Sequence, residues 1–504
     1  MSEYIISGLS LLAQPINILL AFVGAIFGVV IGAIPGLSAT MGITLLIPLT
    51  FALQPASGLI MLAGIYCGAI YGGSIAAILV RTPGTPAAVA TMYDGYPLTL
   101  QGKANTALGV AIFSSAFGGI FSAIVLLFVA YPIARIALEF RSPEMFWLAV
   151  FGMSIIASLG EGSITKGFVS AGIGLLIASI GMHPLTGQLR FTFGQPSLYS
   201  GVPIIIALIG LFSPSQSMII AENPGEQLSA DLDFKGSLFP GFGIFLKNKV
   251  TLIRSAIIGT FIGAIPGAGA EVSSFVAYNE AKRWSKEKHT FGKGNPVGVM
   301  APETANNAVT GGSLIPLLTL GIPGNSSTAA LIGGLMIHGL IPGPKLFTES
   351  ANIIYAFILS LFLVNVFYVL VGFYGLKYVA KVVNVPKAIL APTIITLSVV
   401  GSFAMRNNIF DVWTMILFGL LGYILRKMEF PLAPIVLAII LGPIAESNLD
   451  RAITIAGARN MSIWGVFFQS PVAVIIMVLT ALSIMAGIYG SIKDKKQAQA
   501  EQAE

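Results

Sequence analysis

The sequence predicts an all-α polytopic membrane protein with about 10 to 14 transmembrane or re-entrant helices. The first observation is the composition: 55% of the 504 residues are hydrophobic, 10% are charged, and the mean hydropathy is +0.88. A soluble domain carries about 25% charged residues, so a soluble core could not bury this much apolar sequence. The second observation is the content of 57 glycines and 28 prolines, because both residues are more frequent in transmembrane helices than in soluble ones.

The third observation is a repeated motif that divides the chain into two halves. The residues GAIPG interrupt an apolar run at 32–36 and return at 263–267, so their prolines are 231 positions apart (266 − 35 = 231). A second pair of Pro-Gly dipeptides is 240 positions apart (323 − 83 = 240). Each member of that pair follows a Gly-Gly-Ser sequence, which aligns Gly72 with Gly311. Numbered in chain order, breaks 1 to 4 are Pro35-Gly36, Pro83-Gly84, Pro266-Gly267 and Pro323-Gly324.

Apolar runs that are separated by short polar segments predict the individual helices. Runs of roughly 17 residues or more can cross a bilayer core, whereas the short runs beside the breaks are the arms of broken or re-entrant helices. The apolar segments of the first half are 16–34, 41–53, 57–80, 106–131, 145–159, 167–182 and 202–220. Those of the second half are 250–265, 271–281, 306–322, 351–375, 388–405, 409–425, 432–444 and 466–489.

The chain organisation follows from these segments and from the polar residues between them. We expect a first membrane repeat (residues 1–221), a polar linker (222–248), a second membrane repeat (249–490) and a charged C-terminal tail (491–504). Within the first repeat, residues 93–105 are predicted to form a polar loop in which Asp94 is a solvated charge. Residues 132–144 mix charged and apolar side chains, which predicts an interfacial helix.

The two repeats could be inverted or parallel relative to each other in the membrane. No charged residue occurs in the loop 54–57 after the arm of break 1, whereas five basic residues lie at 282–293 after the arm of break 3. Basic loops stay in the cytoplasm, so these two loops would face opposite sides of the membrane and the repeats would be inverted. Against this, both later linkers are basic, at Arg135 and Arg141 and at Lys377, Lys381 and Lys387.

The four breaks are the candidate binding site. Irregular backbone at membrane depth is tolerated only inside protein or beside a water-filled cavity, so four breaks in a repeated order predict that they line one. A broken helix exposes N–H groups that bind anions, and its freed carbonyls can hold a cation such as Na⁺. The candidate substrate-binding residues are Pro35, Gly36, Ser38, Thr40, Pro83, Gly84, Thr85, Pro266, Gly267, Gly269, Pro323, Gly324, Asn325, Ser326, Ser327 and Thr328.

Three polar residues near the breaks are candidate Na⁺ ligands. Glu271 could hold a cation, or it could be an acid stabilised by the dipole of its own helix. Asn306 and Asn307 precede the second Gly-Gly-Ser sequence and could be ligands or helix caps. Arg81, next to break 2, could pair with a carboxylate or extend to the membrane edge. No organic cofactor is expected.

Signatures of enzymes are missing from the sequence. The three histidines, His183, His289 and His338, have no metal-ligand spacing. Neither a nucleotide-binding GxxxxGK[ST] loop nor a GxSxG nucleophile elbow occurs. An intramembrane enzyme is therefore the weakest of the functional hypotheses, and we expect a protein that is not an enzyme.

Four stretches of the sequence resemble a known family. They are GAIPGLSAT, GAIPGAGAE, YGGSIAAILVRTPGTPAAVAT and NNAVTGGSLIPLLTLGIPGNSSTAALIGG. They are similar to the large membrane subunit (TctA) of the bacterial tripartite tricarboxylate transporters, and the similarity runs from about Gly24 through Leu441.

The resemblance implies a multi-pass permease subunit in the bacterial inner membrane. Such a subunit imports a carboxylate, a citrate-like tricarboxylate or a related organic acid, with a cation gradient that is usually Na⁺. It implies two partners, a small four-helix membrane subunit and a periplasmic substrate-binding protein. The alternative is a stand-alone ion-coupled permease for organic anions that needs no binding protein.

Overall fold

The computed structural model describes residues 2–159, 164–183, 185–222, 237–382 and 385–501, and this part of the chain is almost entirely helical. Nine of its helices are long and apolar enough to cross a membrane, and four shorter helices are also apolar. The all-α polytopic class is therefore confirmed.

The α-helices are Ser2–Leu12 (α1), Pro15–Ala33 (α2), Ala39–Thr50 (α3), Pro55–Val80 (α4), Val89–Leu100 (α5), Ala104–Ala137 (α6), Ser142–Leu159 (α7), Ile164–Ala178 (α8), Ile204–Glu222 (α9), Phe239–Lys247 (α10), Lys249–Ala264 (α11), Gly269–Trp284 (α12), Val297–Leu320 (α13), Ser326–Ile337 (α14), Leu346–Glu349 (α15), Ala351–Val382 (α16), Lys387–Arg406 (α17), Ile409–Lys427 (α18), Ala433–Ala458 (α19), Ile463–Phe468 (α20) and Pro471–Glu501 (α21). Short 3₁₀ turns lie at Pro86–Ala88, Pro196–Leu198 and Lys288–Thr290. Strands β1 (Gly181–Met182) and β2 (Leu189–Arg190) form an antiparallel hairpin.

Helices end and begin at the four breaks as predicted, but several other segments differ from the prediction, and three of them bear on the site. The loop at 93–105 is mostly the helix α5, and the interfacial helix at 132–144 is divided between the end of α6 and the start of α7. Helix α13 begins at Val297, nine residues before the predicted segment at 306, because Pro302 and the polar residues between Glu303 and Asn307 interrupt its apolar pattern.

The predicted linker and tail lie partly outside the described residues. Within the linker, residues 223–236 are not described, and 239–247 form α10. Helix α21 continues into the tail as far as Glu501. The boundaries of the two repeats and of the linker therefore stay predictions.

The chain forms two compact units, each of which takes segments from both halves of the sequence. Unit 1 comprises Met1–Arg135 and Phe212–Asn408, and unit 2 comprises Ile136–Leu211 and Ile409–Glu504. All four breaks belong to unit 1. In unit 2, α19 packs against α7 and α8, and the hairpin is tied to α19 by a bidentate ion pair between Arg190 and Glu446.

In unit 1, the helix before break 1 packs along α4 through glycines. Each of three glycines of α2 lies so close to the α4 backbone that a β-carbon would not fit. The pairs are Gly24 with Met61, Gly28 with Ile65 and Gly32 with Ala69. Because both residue numbers rise together, α2 and α4 run parallel. Small residues allow helix backbones to approach closely in membranes, which is the role of these glycines.

The second half repeats this packing between α11 and α13. Gly259 lies against Ala305 and Gly263 against Val309. These pairs correspond to those of Gly28 and Gly32 in the first half, because α11 follows α2 by 231 positions and α13 follows α4 by 240. The sequence motif thus reflects a duplicated pair of parallel helices.

The packing corrects one alignment. Gly72 lies against the carbonyl of Val29, and the equivalent contact in the second half is made by Gly312 with the carbonyl of Thr260. The expected match of Gly72 with Gly311 is therefore wrong by one residue. Neighbouring glycines cannot be told apart in sequence, and only the close approach of a carbonyl identifies the equivalent one.

The glycine packing predicts a contrast between Gly28→Ala and Gly172→Ala. A β-carbon on Gly28 would lie 2.5 Å from the carbonyl oxygen of Ile65, whereas nothing lies within 4 Å of one on Gly172 in α8. We expect Gly28→Ala to cost about 1–3 kcal/mol of stability and Gly172→Ala to be neutral or to gain about 0.5–1 kcal/mol. Thermal melting of the purified proteins in detergent measures both, and equal melting temperatures would contradict the close approach of α2 and α4.

Candidate functional site

Breaks 1 and 3 have the same backbone conformation. Ile34 and Ile265, which end α2 and α11, are extended with φ and ψ of −82° and 116° and of −85° and 115°. The glycines that follow the prolines, Gly36 and Gly267, have φ of 88° and 81°. This left-handed conformation is one that glycine adopts without strain, which explains the Pro-Gly order at both positions.

The four breaks meet in unit 1. Gly84 of break 2 packs against the carbonyl of Gly32, immediately before break 1, and its N–H donates to the carbonyl of Gly73 at 3.2 Å. Breaks 3 and 4 are joined directly, because the N–H of Gly267 donates to the carbonyl of Gly324 at 2.9 Å. Ala87 after break 2, Ala270 after break 3 and Val309 of α13 form one buried apolar cluster. The segments at the four breaks are therefore in contact with one another, while the cavity that they are predicted to line stays a prediction.

The first turns of α3 and α14 touch each other. Thr40 Oγ1 lies 3.1 Å from Ser327 Oγ, and both side chains are buried. Ser38 caps α3, and Asn325 and Thr328 form a reciprocal capping box at α14. Each helix N-terminus carries about half a positive charge, so two such ends in contact repel each other unless an anion lies between or beside them.

The N-terminus of α12 has a different electrostatic character. Gly269 has φ of 71°, and the carboxylate of Glu271 folds back over it. Glu271 is half-buried and interacts electrostatically with Tyr66. An acid in the first turn offsets the positive end of its own helix, so breaks 1 and 4 favour an anion more strongly than break 3 does.

Four buried polar atoms of the predicted site have no hydrogen-bond partner among the described residues: Thr85 Oγ1, Asn306 Oδ1, Asn306 Nδ2 and Asn307 Oδ1. Thr85, Asn306 and Asn307 are 4%, 0% and 1% exposed. A buried polar group without a partner costs about 1–3 kcal/mol, and native structures contain few of them. Both asparagines lie in the middle of α13, so the alternative that they are helix caps is wrong, and their amide oxygens are free to accept a ligand.

Tyr66 is a member of the site that the sequence reading missed. Its side chain is fully buried, and its hydroxyl lies 2.9 Å from Ser313 Oγ and accepts from Asn325 Nδ2 at 3.2 Å. It thus connects α4 with α13 and with break 4. One signal was present in the sequence, because Tyr66 is the counterpart of Asn306 at the 240-residue spacing (306 − 66 = 240).

Asp94 also has a different role from the one expected. It is 0% exposed, and its Oδ1 accepts from the backbone N–H groups of Gly292, Gly294 and Asn295, while Tyr278 donates to its Oδ2 at 2.8 Å. It fixes α5 to the loop before α13 and is not a solvated loop charge.

Arg81 lies at the exposed end of α4 beside break 2. It is solvent-exposed, and its guanidinium lies over the ring of Tyr96 at 5.9 Å.

The hydrogen bonds of Tyr66 predict a contrast with Tyr355, whose buried hydroxyl has no partner among the described residues. Tyr66→Phe leaves Asn325 Nδ2 without its acceptor, so we expect a loss of about 1–2 kcal/mol in stability. Tyr355→Phe removes a hydroxyl that bonds nothing and should be neutral or stabilising. Thermal melts of the two variants test this, and a melting temperature for Tyr66→Phe that is not below that of Tyr355→Phe would exclude the bonding role.

Comparison with known proteins identifies the family. The profile of the Tripartite tricarboxylate transporter TctA family matches residues 18–437. The chain is 34% identical over 484 residues to an uncharacterised 52.8 kDa protein in the TAR-I ttuC′ 3′ region of Agrobacterium vitis, covering 96% of this chain and 95% of that protein.

An uncharacterised protein in the TAR-II ttuC′ 3′ region of the same organism is 33% identical over 238 residues, which is 47% of this chain and 97% of that protein. No solved structure matches the chain. With a family match over most of its length, and with broken helices converging in a multi-pass helical membrane fold, this chain belongs to the TctA family of tripartite tricarboxylate transporters.

Proposed function

We propose that the chain is the permease subunit that moves a carboxylate, a citrate-like tricarboxylate or a related organic acid, into the cell with the Na⁺ gradient. In this proposal a periplasmic binding protein delivers the substrate, a small four-helix subunit completes the complex, and the complex lies in the bacterial inner membrane. The observation that carries the proposal is the contact between the first turns of α3 and α14 at Thr40 and Ser327.

The anion is proposed to bind at these two helix ends. A carboxylate there would accept from the first-turn N–H groups and from the hydroxyls of Thr40 and Ser327, which are neutral donors. Its charge would also relieve the repulsion between the two positive ends. Ser38, Asn325 and Thr328 hold the turns in shape by capping, so they position the donors.

The cation is proposed to bind at the amide oxygens of Asn306 and Asn307. Na⁺ prefers oxygen ligands, and these two oxygens are buried without partners among the described residues. Glu271, the third candidate, lies at the α12 end of the site and would add a negative charge near Tyr66.

We infer further that the two repeats are inverted, and the contacts of α4 with α13 support this. Tyr66, in the middle of α4, bonds Ser313, in the second half of α13. At the other end, Thr99 of α5 donates to the carbonyl of Ile78, near the end of α4, and Asp94 of α5 binds the loop before α13. The helices α4 and α13 therefore run in opposite directions, whereas each runs parallel to its own partner.

The anion proposal predicts that Thr40→Val weakens uptake. The change removes one hydrogen bond to a charged ligand, worth about 1.5–3 kcal/mol, so the apparent KM for the carboxylate should rise about tenfold or more. Uptake is measured in proteoliposomes with the two partner proteins and the carboxylate that the cognate binding protein binds.

Thr44→Val is the matched control. Thr44 is buried on the same helix, one turn farther from break 1, and its hydroxyl bonds Ser213 at 3.2 Å. An unchanged KM in Thr40→Val, or an equal rise in both variants, would contradict an anion site at the α3 end. Undiminished uptake without the binding protein would instead favour the stand-alone permease.

The cation proposal predicts that Asn306→Leu raises the Na⁺ concentration for half-maximal uptake about tenfold or more, without loss of thermal stability. Stability should be kept because the change removes two polar atoms that bond nothing among the described residues.

Asn365→Leu serves as the comparison, because this buried asparagine donates to the carbonyl of Leu361 and accepts from Tyr368. It should lose stability and keep its Na⁺ response. If Asn306→Leu melts lower and keeps the wild-type Na⁺ dependence, the amide is structural and the cation assignment fails.

A further inference from the structure

Glu303 of α13 is an acidic side chain buried completely inside unit 1, with 0% exposure. Its carboxylate accepts from Thr91 of α5 at 2.6 Å through Oε1 and from Ser115 of α6 at 3.0 Å through Oε2. Ser74 of α4 lies beside the carboxylate as well, with its own hydroxyl donating to the carbonyl of Tyr71. Four elements of the fold therefore bring oxygen atoms to one buried point.

The surroundings of Glu303 contain no compensating positive charge. Within the described residues, no Lys, Arg or His lies within 4 Å of its carboxylate. The titratable groups that interact electrostatically with it are the phenols of Tyr71 on α4 and Tyr368 on α16. Their rings are stacked, with centroids 5.1 Å apart. A buried carboxylate with only neutral donors costs several kcal/mol, and an ionisable residue at membrane depth marks a functional site by default.

The duplicated scaffold itself does not require this acid. At the 240-residue spacing the counterpart of Glu303 is Ala63 (303 − 63 = 240), which is also 0% exposed. The same helix pairing is thus built in the first half around a methyl group. At this position the carboxylate occurs only in the second half, and the helix packing that the two halves share does not explain it.

The position of Glu303 on its helix connects it with the proposed cation ligands. Asn306 and Asn307 follow it by three and four residues, so the three side chains lie on one face of α13. The amide nitrogen of Asn307 donates to the backbone carbonyl of Glu303 at 3.1 Å, and its Oδ1 has no partner among the described residues.

We propose that Glu303 is a further ligand of the Na⁺ that Asn306 and Asn307 are proposed to hold, and that the hydroxyl oxygens of Thr91 and Ser115 complete the site. A carboxylate with two hydroxyls is a set of hard oxygen donors, which suits an alkali cation. The ion supplies the missing positive charge, and the hydroxyls, which now donate to the carboxylate, turn their lone pairs toward the ion. This inference rests on the proposed function, in which Na⁺ drives transport.

The test is the Na⁺-dependent thermal stability of the purified full-length chain in detergent, titrated with NaCl against KCl at constant ionic strength. A ligand that binds only the folded state raises the melting temperature with its concentration. We expect the Na⁺ concentration for half of the shift to rise at least tenfold in Glu303→Gln and several-fold in Thr91→Val and Ser115→Ala.

The matched control is Glu144→Gln, because Glu144 is a buried acid that caps α7 by accepting from the N–H of Arg141. Its Na⁺ titration should match that of the wild type. If Glu303→Gln does not fold, Glu303→Asp keeps the charge with a shorter reach, and we expect it to respond to Na⁺ at higher concentration.

Three results would overturn the proposal. The first is a wild-type Na⁺ titration in Glu303→Gln, and the second is a folded Glu303→Asp variant without any Na⁺ response. The third is a wild type whose melting temperature does not respond to Na⁺ but rises at low pH, with that rise lost in Glu303→Gln. The carboxyl would then hold a proton in place of the cation. Uptake assays separate this failure from that of the proposed function: wild-type uptake that needs Na⁺, with the same dependence in Glu303→Gln, refutes only the role of Glu303.

Discussion

The constraint on which this structure depends is that peptide groups at a helix break must find partners inside an apolar environment. Each Pro-Gly break removes backbone hydrogen bonds, and an unpaired group in hydrocarbon costs several kcal/mol. Here Gly267 of break 3 donates to Gly324 of break 4, and Gly84 of break 2 donates to Gly73 of α4. Such bonds form only if the helices that carry them approach closely. The glycines that line α2 and α11 permit that approach, so the motif and the glycine spacing are parts of one solution.

The same packing is used twice, but the acidic and amide side chains of α13 have no counterparts on α4. At equivalent positions, α4 has Ala63, Tyr66 and Gly73, where α13 has Glu303, Asn306 and Ser313. The scaffold tolerates either set because the closest helix contacts join glycines of α2 and α11 to backbone atoms of α4 and α13. A duplicated fold can in this way supply a symmetric frame for conformational change and an asymmetric site for two different ions.

The sequence alone was sufficient to locate the four breaks, but it was insufficient to identify the residues that come into contact at them. Proline and glycine act locally, so the ends of α2, α4, α11 and α13 could be placed from residues near in sequence. The contact of Thr40 with Ser327 joins residues 287 positions apart, and no local pattern distinguishes these hydroxyls from others in apolar helices. Glu303 was missed for a local reason: it follows Pro302 and precedes Thr304, Asn306 and Asn307, and this proline and these polar residues conceal the helix from a hydropathy analysis.

A chain of hydrogen bonds joins the proposed anion site to the proposed cation site. Asn325, the cap of α14, donates to Tyr66, which bonds Ser313. From there Ser313 donates to the carbonyl of Thr310, whose hydroxyl donates to the carbonyl of Asn307. An anion that orders the α14 turn would therefore restrain the face of α13 that holds the cation. Binding at either site then costs less once the other is filled, and this coupling is necessarily reciprocal. In this way the proposed anion site and the proposed cation site can couple the transport of the substrate to that of its driving ion.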